Sequence, residues 1–178
     1  MIRLRPYKSC DAEEIISWIK DDATYMQWSG GRFGPFPITP DNINSKYRNN
    51  GGCSESDNFY PFTAFNENGL VGHLIMRYLN GDNKILRFGW VIVNDAKRGQ
   101  GFGKQIIKLA LKFAFEILKV KEVSIRVHED NLQAYHCYKT VGFSEDDAAN
   151  VEYDEVHGRK VRLIELKISE TEFSKKDL

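Results

Sequence analysis

Three glycines, Gly99, Gly101 and Gly103, fall within five positions directly before a long amphipathic run. Glycine disfavours a helix by about 1 kcal/mol per residue relative to alanine, so this composition at a helix start indicates a need for bare backbone. The first turn of a helix carries unpaired N–H groups and about half a positive charge. With Arg98 and Lys104 as cationic neighbours, the stretch predicts a binding site for a pyrophosphate group.

Two familiar phosphate-binding motifs do not match this stretch. The dinucleotide fingerprint G-x-G-x-x-G, read from Gly99, requires a glycine at the position of Lys104. The P-loop G-x-x-x-x-G-K-[ST] has Arg98 in place of its first glycine and Gln105 in place of its hydroxyl residue. The remaining pattern, R-x-x-G-x-G, is a weak signal by itself.

A second polar segment begins about thirty residues later in the sequence. Asn131, Ala134 and Tyr138 are spaced so that they share one face of a predicted helix. The two segments follow predicted strands at about residues 85–93 and 122–128, and a helix connects those strands. Such a connection makes the strands parallel, so both segments should meet at the carboxyl edge of the sheet, where ligands of α/β proteins bind.

The remaining pattern predicts a mixed α/β fold in a single domain spanning residues 1–178. Residues 2–7 favour a first strand, and Asp11 is the expected N-cap of the helix that follows. Residues 23–40 contain glycines, prolines and aromatic residues, which indicate an irregular loop, and Pro40 opens a short helix. The predicted turns of the following strands and of the final hairpin are Asn68–Gly69, Asn80–Gly81 and residues 157–160.

Composition excludes several functional classes. Lys plus Arg equals Asp plus Glu at 25 each, so no global basic field would hold nucleic acid. No apolar run approaches the ~20 residues that span a bilayer, and the first residues lack the apolar segment of a signal peptide. Cys10, Cys53 and Cys137 suggest neither a disulfide framework nor a metal site. We therefore expect a cytoplasmic protein without a metal, a nucleic-acid partner or a membrane partner.

The two polar segments together resemble the GNAT family of N-acetyltransferases. The pattern R-G-Q-G-F-G from Arg98 to Gly103 follows a strand, and N-x-x-A-x-x-x-Y-x-x-x-G-F runs from Asn131 to Phe143. The resemblance is close from about residue 84 to 143. More loosely, "IRLRPYKSCDAEEIISWI" resembles the opening of the RimJ/RimL-like branch, which acts on ribosomal-protein N-termini. Residues 21–60 carry no resemblance of their own.

This resemblance implies a central, mostly antiparallel sheet with one parallel strand pair, flanked by helices. It also implies acetyl-CoA as cosubstrate and direct acetyl transfer to an amine, with Tyr138 protonating the departing thiolate. A phenol with a reference pKa near 10 can make that donation. The residues implied in acetyl-CoA binding are Val91, Ile92, Val93, Arg98, Gly99, Gln100, Gly101, Phe102, Gly103, Lys104 and Asn131. A homodimer is a further expectation, because members of the family often dimerise.

The general base stays open at this point. Several relatives carry a glutamate on the strand before the phosphate loop, but "ILRFGWVIV" contains no carboxylate. Glu129, Asp130, His73 and water are the alternatives, whereas the other histidines offer no better case. Cys137 lies beside Tyr138, but no neighbouring residue in the sequence would activate it, so we do not expect a nucleophilic cysteine.

The type of acceptor amine is predicted from its pKa. An α-amine with a pKa of 7.7–8.0 is roughly a tenth neutral at pH 7, far more than a lysine amine. A site without a strong base therefore favours a protein or peptide N-terminal α-amine. The alternatives are a small-molecule amine (polyamine, amino acid or antibiotic) and a non-catalytic acyl-CoA-binding module. Residues 23–40 would form either the acceptor pocket or part of the core.

Overall fold

The computed structural model describes residues 1–52, 58–79 and 81–176. Cys53 and the Asn80 half of one predicted turn lie outside these residues. The strands are β1 (Arg3–Pro6), β2 (Tyr60–Asn66), β3 (Gly69–Leu79), β4 (Asp82–Val93), β5 (Glu122–His128), β6 (Ser144–Glu145), β7 (Glu152–Val156) and β8 (Arg159–Ser169). The helices are α1 (Asp11–Ser17), α2 (Asp22–Ser29), α3 (Pro40–Arg48), α4 (Phe102–Lys112), α5 (Leu132–Val141) and α6 (Glu170–Lys176).

All eight described strands belong to one sheet. Its order is β1-β2-β3-β4-β5-β8-β6, and β7 also pairs with β8. Among the described strand pairs, only β4 and β5 run parallel, because α4 connects them as a crossover. The predicted mixed sheet with one parallel pair is thereby confirmed.

The parallel pair stays together for only four residues of each strand. Its ladder runs from Ile85 opposite Glu122 to Phe88 opposite Ile125. Beyond that point β4 remains paired with β3, and β5 remains paired with β8 as far as His128. A bulge around Trp90, whose φ of 46° is rare for a large side chain, bends β4 where the two strands part. The result is a wedge-shaped gap in the middle of the sheet.

Alternate residues of the central strands pack into two cores on opposite faces of the sheet. Leu74 and Phe88 belong to a core that includes Leu111 of α4 and Val141 of α5. On the other face, Ile75 belongs to a second core together with α1, α2 and α3. The helices on both sides therefore border the gap between β4 and β5.

The prediction that Asp11 caps α1 is wrong. Cys10 occupies the cap position without a side-chain cap bond, and Asp11 is the first residue of the helix. The buried Asp11 carboxylate instead accepts hydrogen bonds from Arg5 at 2.7 and 2.8 Å and from Thr63 at 2.8 Å. Asp11 therefore fastens α1 to strands β1 and β2, a long-range role that a local capping pattern does not reveal.

The prediction of an irregular loop over residues 23–40 is wrong for its first part. Residues 22–29 form α2, which begins where Asp21 accepts a hydrogen bond from the Thr24 N–H at 2.7 Å. The helix ends at Gly30, whose φ of 59° is left-handed. The following segment to Thr39 is irregular, as predicted.

The helix predicted between the two parallel strands is divided. Residues Phe102–Lys112 are α-helical, and Phe113–Ile117 form one π-helical turn. Within the residues that the structure describes, no helix is long and apolar enough to cross a membrane.

Candidate active site

The glycine-rich stretch forms an open cradle at the start of α4. The backbone N–H groups of residues 99–104 donate to no acceptor in the described part of the chain. Gly99 and Gly101 have φ of +77° and +78°, and a Cβ at either position would meet no atom within 4 Å. Unpaired donors, left-handed backbone and empty space above the glycines are the features that hold phosphate oxygens.

A cavity of about 440 Å³ occupies the gap between β4 and β5 and extends over this cradle. We call it the larger cavity. It is lined by the predicted residues Val91, Ile92, Val93, Arg98, Gly99, Gly101, Phe102, Gly103, Lys104, Asn131 and Tyr138. Gln100 alone among the predicted residues does not line it, because its side chain turns back to the Ala96 carbonyl at 3.5 Å. The two polar segments thus share one cavity.

Tyr138 lines this cavity from helix α5. Asn131 caps α5 by accepting a hydrogen bond from the Ala134 N–H at 3.3 Å, and this fixes where the helix starts. The Tyr138 side chain is buried, yet its hydroxyl donates to no group in the described residues. Burial raises the pKa of Tyr138 above its usual value, so the phenol stays protonated at neutral pH.

Cys137 packs at the contact between α4 and α5. A Cβ on Gly103 would lie 3.4 Å from the Cys137 sulfur, so glycine permits the close approach of the two helices. Burial raises the pKa of the Cys137 thiol, although the Lys104 charge partly opposes the shift. A thiol that is protonated and packed in this way is a poor nucleophile, in agreement with the prediction.

Helix α2 forms one wall of the larger cavity, within the segment that the sequence left open between acceptor pocket and core. Thr24, Gln27 and Trp28 line it opposite the cradle. The Trp28 indole also donates to the Trp90 carbonyl at 2.8 Å, which joins α2 to the bulge in β4. Trp28 is therefore both a core residue and a cavity residue, whereas Tyr25 and Phe33 are buried in the second core.

A second cavity of about 230 Å³ neighbours the first, and Gln27 and Trp28 line both. We call it the smaller cavity. It lies on the sheet face that carries α1, α2 and α3. Its charged and imidazole side chains are Arg32, Arg77, Arg87, Arg126, His128 and Asp154.

His128 and Asp154 form a pair on the wall of the smaller cavity. His128 Nε2 lies 2.9 Å from Asp154 Oδ2, and the imidazole is almost completely buried. Its Nδ1 has no hydrogen-bond partner among the described residues and is not sealed from solvent. Although burial opposes the shift, the His128 hydrogen bond and the Arg32 charge lower the pKa of Asp154. Asp154 is thus an anion that orients the imidazole.

The base candidates from the sequence lie elsewhere. Glu129 is exposed and accepts from the Arg162 N–H at 3.2 Å, and Asp130 is exposed near Gln27 and Arg159. Neither residue lines a cavity. His136, by contrast, lies on the exposed rim of the larger cavity.

His73 is sealed inside the second core and also lines neither cavity. Its Nε2 lies 2.6 Å from the Tyr47 hydroxyl, and its Nδ1 has no hydrogen-bond partner. Burial lowers the pKa of His73 to about 3, so the ring is neutral. His73 therefore has no route to a ligand in either cavity.

The described residues contain no group of three or more His, Cys, Asp and Glu side chains placed to hold a metal ion.

The known proteins that are similar to this chain include acetyltransferases. A spermidine N(1)-acetyltransferase of Vibrio cholerae is 29% identical over 77 residues, 43% of this chain and 44% of that protein. The chain thus spans less than half of that relative. A spermine/spermidine N(1)-acetyltransferase of Bacillus subtilis is 29% identical over 121 residues, 64% of this chain and 75% of that protein.

The solved structures show the same fold. The crystal structure of spermidine N-acetyltransferase from Vibrio cholerae in complex with CoA and spermine has a TM-score of 0.78, covering 97% of this chain and 98% of that chain at 21% identity. The model of the acetyltransferase (GNAT) domain matches residues 2–144. The resemblance seen in the sequence is confirmed: the chain belongs to the GNAT family of acetyltransferases.

Proposed function

We propose that the protein transfers the acetyl group of acetyl-CoA directly to the amine of a small molecule, with the two substrates entering the gap from opposite sides. The observation that carries this proposal is the pair of neighbouring cavities, which share Gln27 and Trp28 of α2. The end of β4 and the phosphate cradle line the larger cavity, whereas the end of β5 lines the smaller one.

The larger cavity suits acetyl-CoA. The six unpaired N–H groups of residues 99–104 would hold the pyrophosphate, with Arg98 and Lys104 as exposed cations beside it. Beyond Phe88 the β5-facing edge of β4 has no strand partner among the described residues. The backbone of residues 91–93 is therefore available to bind the amide groups of the pantetheine arm. Acetyl-CoA supplies an acetyl thioester at the end of that arm.

Tyr138 is the proposed acid. The amine nitrogen bonds to the carbonyl carbon of the thioester, the carbon–sulfur bond breaks, and the sulfur leaves with the electron pair. The Tyr138 hydroxyl, which has no acceptor within the described chain, gives its proton to that sulfur. Backbone N–H groups of β4 would stabilise the carbonyl oxygen while it carries negative charge.

His128 is the proposed base, although no sequence pattern favoured it over the other candidates. It ends β5 at the gap, on the smaller-cavity side, and Asp154 holds its Nε2. The outward Nδ1 can take the proton of the attacking ammonium or amine. A histidine oriented by a carboxylate is a common general base, and it removes the need for a glutamate on β4.

Two observations favour a small-molecule acceptor over the protein N-terminus predicted first. By their names, the relatives from Vibrio cholerae and Bacillus subtilis act on spermidine or spermine. The smaller cavity, at about 230 Å³, is below the ~300–1,000 Å³ typical of drug-sized ligands.

The test is thiol release from acetyl-CoA in the presence of polyamines, amino acids, other small amines and peptides with free N-termini. Release that depends on a small amine, with the acetylated amine detected by mass spectrometry, supports the proposal. Thiol release with peptides alone would instead support a peptide N-terminal α-amine as the acceptor. Binding of CoA without release for any amine would indicate a non-catalytic acyl-CoA-binding module.

A further inference from the structure

The smaller cavity has an unusual charge for a relative of polyamine enzymes. Four arginines, Arg32, Arg77, Arg87 and Arg126, line it, whereas Asp154 is the single lining carboxylate among the described residues. Arg77 and Arg87 are direct cross-strand partners on β3 and β4, so they project from the same sheet face. Direct pairing of like charges is unfavourable unless counter-charges compensate it, and Glu165 supplies one such counter-charge to Arg87.

The described carboxylates around the cavity already have cationic or imidazole partners. Glu165 bonds to both Arg87 and Arg126. Glu152 forms two bonds of 2.6 Å with Arg126. These two carboxylates therefore already form ion pairs with arginines of the sheet face. A protonated polyamine entering the cavity would therefore meet guanidinium groups and, among the described residues, no unmatched carboxylate.

Arg32 lies at the mouth of the same cavity and is about half exposed, at 48%. It directs one N–H to the Ser29 carbonyl at 3.0 Å and another to Asp154 Oδ1 at 3.3 Å. A guanidinium carries five N–H donors in a fork that matches a carboxylate or a phosphate. Donors therefore remain on Arg32 for the oxygen atoms of a ligand.

Arg32 and His128 bond to different oxygens of the one Asp154 carboxylate. The anion-binding group and the proposed base are consequently separated by little more than that carboxylate. A ligand with its amine at His128 and an acid at Arg32 needs only a short spacer between the two groups.

We propose that the acceptor is a small amine that carries a carboxylate or phosphate group a few bonds from its nitrogen, with Arg32 binding the acid. The proposal rests on the proposed function, because it concerns the acceptor of that transfer. It predicts a preference different from that named for the polyamine-acetylating relatives. Carboxylate and phosphate share the chemistry that a guanidinium recognises, so the test includes both.

The test measures kcat/KM for matched amines that differ by one acid group. The pairs are histidine with histamine, phenylalanine with phenethylamine, and O-phosphoethanolamine with ethanolamine, with spermidine as the polyamine. The acid-bearing member of at least one pair should be acetylated at least tenfold more efficiently than its partner and than spermidine. The carboxylate and phosphate pairs distinguish the two sources of the acid.

Variants assign the preference to the cavity. Arg32→Gln should raise KM at least fivefold more for the acid-bearing amine than for its acid-free partner, and Arg32→Lys should restore part of the affinity. Arg48→Gln, an exposed arginine on α3 that lines neither cavity, is the matched control and should change neither value.

Each other result has a distinct meaning. Better turnover of spermidine or of the acid-free amines would overturn this inference and leave the proposed function standing. An equal effect of Arg32→Gln on both members of a pair would overturn the role of Arg32. The absence of acetylation for every amine would overturn the inference and the proposed function together.

Discussion

Phe88 and Ile125 form the last residue pair of the parallel ladder between β4 and β5. Every proposed catalytic group lies past this pair. Tyr138 enters the gap from the helices of one sheet face, and His128 stands at the end of β5 on the other side. The separation of two strands thus places an acid and a base on opposite sides of one opening.

The phenol of Tyr138 is expected to act in catalysis and to contribute little to stability. Tyr138→Phe should lower kcat at least tenfold, because the departing thiolate then has no positioned proton donor. The dissociation constant for CoA, measured by calorimetry, should change less than twofold. The control is Tyr135→Phe, whose hydroxyl bonds to Glu145 and lies outside both cavities. Equal activity of the two variants would remove Tyr138 from the mechanism.

The pH profile provides a separate check on the same residue. Burial raises the pKa of Tyr138 above its usual value near 10. Loss of activity through deprotonation of the phenol is therefore not expected below about pH 10. A decline at a lower pH that disappears in Tyr138→Phe would contradict the protonated state proposed here.

His128 and Asp154 are expected to differ in the size of their effects. His128→Ala should lower kcat about a hundredfold, a typical contribution of a general base. Added imidazole should restore part of that activity. Asp154→Asn should lower kcat about tenfold, because His128 remains but loses the anion that orients it. His157→Gln is the control, since His157 lies in the final hairpin turn and pairs with Asp22 of α2. Failure of imidazole to rescue His128→Ala would indicate a structural role.

Substitution of a cradle glycine is expected to weaken cofactor binding in addition to straining the backbone. Gly101→Ala and Gly81→Ala both place a side chain at positive φ, with no neighbouring atom within 4 Å. Each should lower the free energy of unfolding by about 1–2 kcal/mol. Only Gly101→Ala should weaken CoA binding, by at least fivefold, because its methyl group stands over the unpaired N–H groups. Equal CoA affinity in the two variants would place the pyrophosphate elsewhere.

The buried His73 should make folding stability depend on pH. Burial lowers the pKa of His73 in the folded protein to about 3, from its ordinary value near 6.5. The unfolded chain therefore binds the extra proton first as the pH falls, and stability decreases below about pH 6.5. The loss reaches roughly 2–3 kcal/mol at about pH 4.5.

Urea unfolding at several pH values measures this effect. His73→Gln keeps a polar side chain but does not titrate, so its stability should decline less between about pH 6.5 and 4.5 than that of the unaltered protein. His136→Gln, an exposed histidine, should retain the full decline. Identical slopes for all three proteins would show that His73 is not neutral and buried in solution.

The elements with strong local signals were predictable from the sequence. The start of α4 follows from its glycines, and α5 follows from Asn131 and Gly142, which lie at its two ends. The parallel pair follows from the strand–helix–strand order. These features depend on residues close together in the chain.

The features that were missed depend on distant residues. Helix α2 has little apolar periodicity and lies next to Gly30, Gly31 and Gly34, so its sequence favours a loop. His128 and Asp154 are 26 residues apart and meet only because β8 pairs with both β5 and β7. Residue spacing carries no signal for such a pair.

The roles of the site residues, a single domain over residues 1–178, a cytoplasmic location and a homodimer remain predictions.

The central claim is that both substrates meet in the gap and that the acetyl group passes directly between them. Initial rates measured over a matrix of acetyl-CoA and amine concentrations test it most directly. The account predicts intersecting double-reciprocal lines and no acetylated protein after incubation with acetyl-CoA alone. Parallel lines, together with an acetyl group on Cys137 detected by mass spectrometry, would contradict it and establish a covalent intermediate.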